Sequence, residues 1–500
     1  MPQDNSKSIP SGLGPRRTRE AGGDRRLFWI VAIAAAAAGT IAAVVYARLD
    51  LTLSHYDARA HLVVSRRVFD SLTPGWRQLG ALWLPLPHLV NALPVQWDAA
   101  YRSGAIAVAI SIAALACGLG ALARQLQVAG VSAPAAAILA LGILANPNVL
   151  YLQSTPMTEP LLIGASLVAL RAVGTWLANG GELHFTRAGW SLAALVLIRY
   201  EGWLVAAGLL ALAGLAPGRQ KTRLAVRLAA YPAVAIVAFL CLGKASTGSW
   251  LVSGGFFVPE NPALRQPLTA VDQITAGLRD LAGSGAVIAG ALGALTALVF
   301  WFRRPVAALP LALALPILLP LLAFTAGHPF RIRYMIPLVA ACWALAGTAL
   351  GGLPRRWQLP AAAALAVLAL VQVPSIGAET PMVTEAQRER PQQRARAAVT
   401  RYLSVEHDGQ PILASMGSLG HYMQETASIG LDIRAFVHEG NGDLWAGALE
   451  RPRSHVRWIL IEEAAEGGDI LFARAQRDVR FLDGFSRVAE GGGVALYRRF

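Results

Sequence analysis

LFWIVAIAAAAAGTIAAVVY, residues 27–46, is the stretch on which the fold turns. It runs for 20 residues without a charge, the length a helix needs to cross a hydrocarbon layer ~30 Å thick. No water reaches the backbone inside that layer, so the chain must close its own hydrogen bonds as a helix. The run is too long for the core of a cleaved leader, and more apolar runs follow. It therefore reads as an uncleaved first span, residues 27–47. Residues 1–26 ahead of it are polar and carry Arg16, Arg17, Arg19, Arg25 and Arg26. They read as a disordered basic tail on the cytoplasmic side.

Working outward, further candidate spans lie at 103–122, 132–148, 157–177, 188–199, 202–216, 225–245, 284–302, 306–326, 334–353 and 358–374. The expectation is a polytopic α-helical membrane protein with about 11 membrane helices or half-helices. The two pieces flanking Arg199-Tyr200-Glu201-Gly202 are short and read as half-helices. With the N-terminus inside, the cytoplasmic loops hold Arg124, Arg187, Arg219-Lys221-Arg223, Arg303-Arg304 and Arg355-Arg356. Compact basic connectors on that side are what the positive-inside rule expects. The long loops 48–102 and 246–283, and everything after 375, then fall outside. The setting is a multi-pass membrane protein, in bacteria the inner membrane.

The whole composition agrees. Of 500 residues, 55% are hydrophobic and 15% charged, where an average soluble domain has about 25% charged. The net charge of +14 comes from basic residues clustered in short loops, which points to membrane topology and not to nucleic acid. Cys117, Cys241 and Cys342 all lie in apolar runs and read as packing residues. Neither a Walker loop, a zinc spacing nor a Gly-x-Ser-x-Gly elbow occurs, and Gly417-Ser418-Leu419-Gly420 is not a dinucleotide fingerprint. No solenoid or inverted repeat is visible.

The first long loop carries an amphipathic pattern over 58–72, read as a helix on the membrane surface and stopped by Thr73-Pro74-Gly75. Trp76, Trp83, Trp97 and His88 read as interface anchors. From 376 charged residues become frequent. Residues 385–404 have a helical pattern, Pro411–Ser415 and Trp458–Glu462 read as buried strands, and Phe485–Tyr497 reads as a hairpin broken at Gly491-Gly492-Gly493. This is a small C-terminal extracytoplasmic α/β domain, 376–500, after a membrane domain at 27–375.

Four polar clusters fall at span ends on one side: Ser54-His55-Tyr56-Asp57, Gln153 to Pro160 with Glu159, Arg199-Tyr200-Glu201-Gly202, and His328 to Tyr334 with Arg331 and Arg333. Structural roles are available for each. Asp57 suits a helix cap, Glu159 a cap or an arginine partner, Arg331 and Arg333 snorkelling, and Arg199 with Glu201 a local pair. Gathered together, carboxylates and arginines form a candidate reaction centre, since ionisable groups at membrane depth are costly.

At these residues the chain resembles the GT-C superfamily of membrane glycosyltransferases, the type that includes protein O-mannosyltransferases and the lipid A aminoarabinose transferase. The likeness is carried by Asp57 in the first outer loop, Thr158-Glu159, Arg199-Tyr200-Glu201-Gly202, the Arg331-x-Arg333-Tyr334…Pro337 pattern and Ile412–Tyr422, ILASMGSLGHY. It implies a sugar donor linked to polyprenyl phosphate and a hydroxyl acceptor on a lipid, glycan or protein. Asp57 is then the expected base of an inverting transfer, and Arg199, Arg331 and Arg333 bind the donor phosphate. Glu159, Glu201 and His55 orient groups or hold a divalent cation. Many relatives have a second acid directly after the first; here that position is Ala58. Asp57, Arg331 and Arg333 are expected on one outward-facing cavity. The competing readings are a transporter or flippase for a lipid or anionic solute, which would put charges near the midplane, and a scaffold subunit, which would leave Asp57 away from any cavity.

Overall fold

The computed structural model of the chain describes residues 16–217, 219–251, 261–373, 377, 379–388, 390–464 and 468–500. The domain boundary expected at 375–376, residues 1–15 of the expected tail and part of the loop 246–283 lie outside the described residues. Each of the eleven apolar stretches coincides with helix. Six helices are long and apolar enough to cross a membrane: Arg25–Arg48, Ala105–Val128, Glu159–Asn179, Lys221–Thr247, Pro305–Thr325 and Ile332–Leu350. Two bent pairs raise the number to eight: Ala133–Leu144 with Pro147–Gln153, at 67°, and Pro267–Ala282 with Ser284–Phe300, at 113°. The others are shorter or more polar. Glu182–Val196 and Glu201–Gly214 are the two expected half-length helices, and Arg355–Gln372 starts on two arginines. The first helix is Arg16–Arg48, of which Arg25–Arg48 is the apolar span.

Small residues set how closely these helices approach. A Cβ on Gly164 would sit 2.3 Å from the carbonyl oxygen of Ala114, and one on Gly118 would sit 2.6 Å from Gly164 Cα. Glycine at both positions lets helices Ala105–Val128 and Glu159–Asn179 pack backbone to backbone, the usual device where lipid removes any hydrophobic drive to associate. Apolar side chains such as Trp29, Ile30, Ile33 and Ile41 stay exposed on the first helix, as expected of a surface that faces lipid.

The first long loop departs from expectation. Its helix is Tyr56–Arg66, shorter than 58–72, and nearly all of it is buried. It lies under the C-terminal domain, not on a membrane surface. Leu62 and Val63 join the apolar core of that domain, and its arginines find carboxylates there. Arg59 pairs with Glu425, and Arg66 with Asp70, Asp98 and Asp432. Protein carboxylates near a buried guanidinium do what water would do at an interface. His88 is likewise buried and not an anchor. It meets His61 at 3.1 Å (Nδ1 to Nε2) and stacks on Trp83. Trp76 and Trp97 remain exposed.

The C-terminal domain is a five-stranded mixed sheet flanked by helices. Its strands are β1 (Ile412–Ala414), β2 (Phe436–Val437), β3 (Trp458–Glu462), β4 (Phe485–Gly491) and β5 (Val494–Arg499), in the order β2-β1-β3-β5-β4. β1 pairs in parallel with β2 and β3; β5 pairs antiparallel with β3 and β4. Period-two alternation sorts the strands into two cores. Ile412, Ala414, Trp458, Leu460 and Leu496 face one, while Leu413, Ile459 and Ile461 face the other. Gly492 and Gly493 both take positive φ in the two-residue turn between β4 and β5, which only glycine adopts without strain.

Candidate active site

Two adjacent charge clusters sit where the first loop, three helix starts and the lead-in to the C-terminal domain converge. The first is built on the start of helix Tyr56–Arg66. His55 caps it: its Nδ1 accepts from the Asp57 N–H at 3.0 Å. That fixes the neutral tautomer with hydrogen on Nε2. Asp57 lies in the first turn, where the helix dipole favours a negative charge. Ser54 is held beside them by the Tyr151 hydroxyl at 2.9 Å, which also donates to Leu51 O.

Arg333 reaches in from the short turn Ile332–Met335 that opens helix Ile336–Leu350. Its Nη1 forms an ion pair with Asp57 Oδ2. The same nitrogen is 3.3 Å from His55 Nε2, a contact that is not a hydrogen bond in the tautomer above. Burial pushes the Asp57 carboxyl up, but Arg333, His55 and His61 draw it down by more, to about 2. Asp57 is thus a stable anion and a poor base while Arg333 holds it. The Tyr56 hydroxyl is raised by the charge of Asp57 and by burial.

Glu385 completes this cluster, a residue with no local mark in the sequence. It sits in helix Pro381–Gln387, anchored where the Met382 N–H donates to Asn148 Oδ1 at 3.1 Å. Its Oε1 is 3.8 Å from His55 Nε2 and 3.9 Å from Arg333 Nε. Burial raises its carboxyl, while the His55 contact and Arg333 bring it below the ordinary range.

The second cluster is Arg199 between two acids. Nη1 meets Glu159 Oε1 at 3.1 Å and Thr158 Oγ1 at 3.0 Å; Nη2 meets Glu201 Oε1 at 2.8 Å. Glu159 and Glu201 each open a helix and are buried. The local Arg199–Glu201 pairing is therefore present, extended to Glu159. Its donors are occupied, so Arg199 stands as a strut between helices. The two acids bracket a guanidinium. Among the described residues no group of three or more His, Cys, Asp or Glu could hold a metal. Arg331 differs from the other arginines: it is half-buried and makes no ion pair among the described residues.

Beside the first cluster opens a cavity of ≈ 740 Å³. Phe330, Ile332, Gln372, Pro381, Thr384 and Glu385 contribute to its wall, together with the bend at Gly283. Asp57, Arg331 and Arg333 are not among the residues that line this cavity; the residues on either side of Arg331 are, and so is Glu385, 3.9 Å from Arg333.

Solved structures share this architecture. ArnT from Cupriavidus metallidurans bound to undecaprenyl phosphate superposes with a TM-score of 0.55 at 14% identity, over 92% of this chain and 97% of that one. ArnT from Cupriavidus metallidurans in the apo state gives 0.54 at 14%, over 96% and 98%. The chain has the ArnT fold nearly end to end. No family model matches it, and no curated protein does.

Proposed function

We propose that this protein is a membrane glycosyltransferase that moves a sugar from a polyprenyl-phosphate-linked donor to a hydroxyl acceptor. The observation that carries the reading is the fold, shared over 92% of the chain with a protein solved with undecaprenyl phosphate bound. The buried Asp57–Arg333 pair beside a cavity supports it chemically. A phosphate leaving group needs charge stabilisation more than an acid, and guanidinium forks supply it. Arg331, which makes no ion pair among the described residues, is a cation open to a phosphate, and Arg333 is two residues on. Arg199 supports the wall through Glu159 and Glu201 and does not touch phosphate directly.

The transfer proposed is inverting. The acceptor oxygen attacks the anomeric carbon, the carbon–oxygen bond to phosphate breaks, and polyprenyl phosphate leaves with the electron pair. Asp57 is the acid around which the centre is built. Paired with Arg333, it fixes that cation beside the donor phosphate. The acceptor is a lipid, glycan or protein hydroxyl, and the setting proposed is a bacterial inner membrane with the N-terminus cytoplasmic and the C-terminal domain outside. A transporter reading gains nothing from the geometry, because the charges gather at helix starts in one place.

The test is release of undecaprenyl phosphate from undecaprenyl-phosphate-linked sugars by purified wild type and Asp57→Asn. Wild-type turnover with a loss of about a hundredfold or more in the variant, the scale of a lost electrostatic contact to the leaving group, supports the proposal. Equal rates in both would remove Asp57 from the mechanism.

A further inference from the structure

Asp57 is followed by Ala58, so the start of helix Tyr56–Arg66 brings one acid to the first cluster, yet that cluster holds two. The second, Glu385, comes from a segment far along the chain. Three observations set it apart. Of the charged residues in the cavity wall, Arg279, Asp280, Glu379 and Arg388 are exposed, and Glu385 alone is buried. It lines the cavity while lying 3.9 Å from Arg333, the partner of Asp57, so it is the acid of the cluster that a hydroxyl in the cavity can reach. Its contacts to His55 and Arg333 are 3.8 and 3.9 Å, looser than the direct pair between Asp57 and Arg333. His55, whose Nδ1 is occupied by the Asp57 N–H, has its Nε2 3.8 Å from the carboxylate.

We propose that Glu385 is the general base of the site, taking the acceptor's hydroxyl proton while Asp57 keeps Arg333 in place. The inference rests on the transferase reading. In the step, the acceptor O–H proton passes to a Glu385 carboxylate oxygen and the acceptor oxygen bonds to the anomeric carbon. The bond from that carbon to the phosphate oxygen breaks, and its electron pair stays on polyprenyl phosphate beside Arg331 and Arg333. Glu385 and Asp57 thus divide labour between acceptor and leaving group.

The experiment uses the full chain in nanodiscs, with undecaprenyl-phosphate-linked hexoses and pentoses as donors and an envelope lipid extract as acceptor. Wild type, Glu385→Gln, Glu385→Asp and Asp57→Asn are compared for turnover from about pH 4 to about pH 9 and for binding of undecaprenyl phosphate. Glu385→Gln is expected to bind undecaprenyl phosphate as wild type does and to lose turnover by about 10²–10⁴-fold, with no acid limb in what remains. Glu385→Asp is expected to recover part of the rate with a shifted acid limb, which also decides the matter if the Gln variant fails to fold. Turnover of Glu385→Gln within about threefold of wild type, or an unshifted acid limb in Glu385→Asp, overturns the assignment. Wild type that neither binds undecaprenyl phosphate nor turns over any donor overturns the transferase reading itself, and this inference with it.

Discussion

At the scale of single residues the site is a set of charges that cannot be removed singly. Taking one partner from a buried ion pair leaves the other uncompensated, which costs about 3–5 kcal/mol. Arg333→Met strands Asp57 and should lower stability by about that amount in thermal unfolding, while Arg333→Lys, which keeps charge but not the fork, should fall between. Arg199→Met strands both Glu159 and Glu201 and should cost at least as much. A change under about 1 kcal/mol for either would mean that water already solvates these acids. Most of these residues were legible beforehand. His55, Asp57, Glu159, Arg199, Glu201, Arg331 and Arg333 stood out as charges at the ends of apolar runs, and the structure brings all but Arg331 into the two ion-pair clusters. Their pairing was not legible, because partners such as Asp57 and Arg333 are joined only by packing. Glu385 was invisible for a related reason: it lies in a charged stretch, MVTEAQRER at 382–390, where one more acid carries no signal.

At the scale of elements, helix Tyr56–Arg66 is the hinge between the apolar bundle and the C-terminal domain. Arg59 and Arg396 share Glu425, so Glu425→Gln exposes two buried guanidinium groups to a neutral partner. We expect it to lower the unfolding midpoint, by about 3–5 kcal/mol of stability, and to loosen this helix in hydrogen exchange. Unchanged exchange over residues 56–66 would show that the apolar contacts of Leu62 and Val63 hold it alone. Gly164→Ala puts a methyl group against Ala114 backbone and should cost about 1–3 kcal/mol by overpacking, with helix start Glu159 displaced as a consequence. Wild-type melting in that variant would argue that the helices slide apart freely. Helix existence followed from apolar length, β1 and β3 from short apolar runs and β4–β5 from a run broken by glycines, whereas the two-residue β2 left no such mark. The surface placement of 58–72 failed because amphipathicity says that one face is apolar, not whether lipid or another domain covers it.

At the scale of the whole molecule, buried neutral histidines couple stability to pH. Burial holds His88 at about 4, and His421 and His438 at about 3. Once unfolded each titrates near 6.5, so below that pH protons favour the unfolded chain. Their stabilisation is complete above about 6.5 and drains away as pH falls towards the folded values, at about 1.4 kcal/mol per histidine per pH unit. Melting temperature should fall between about pH 7 and pH 5, before Asp57 or Glu385 begin to matter, and His421→Phe should flatten that slope by one histidine's share. A flat profile would mean that these rings are hydrated. The architecture as a whole, an apolar helical bundle with a small sheet domain, was readable from composition, whereas the number of full spans was not, since bends at 67° and 113° leave no mark in hydropathy. The central claim is that this fold holds a polyprenyl phosphate beside Asp57, and photo-crosslinking with a reactive undecaprenyl phosphate analogue tests it most directly. Adducts on residues 328–335 and 379–388, displaced by unlabelled undecaprenyl phosphate, are the predicted result; no displaceable adduct, or adducts confined to the C-terminal sheet, would contradict it.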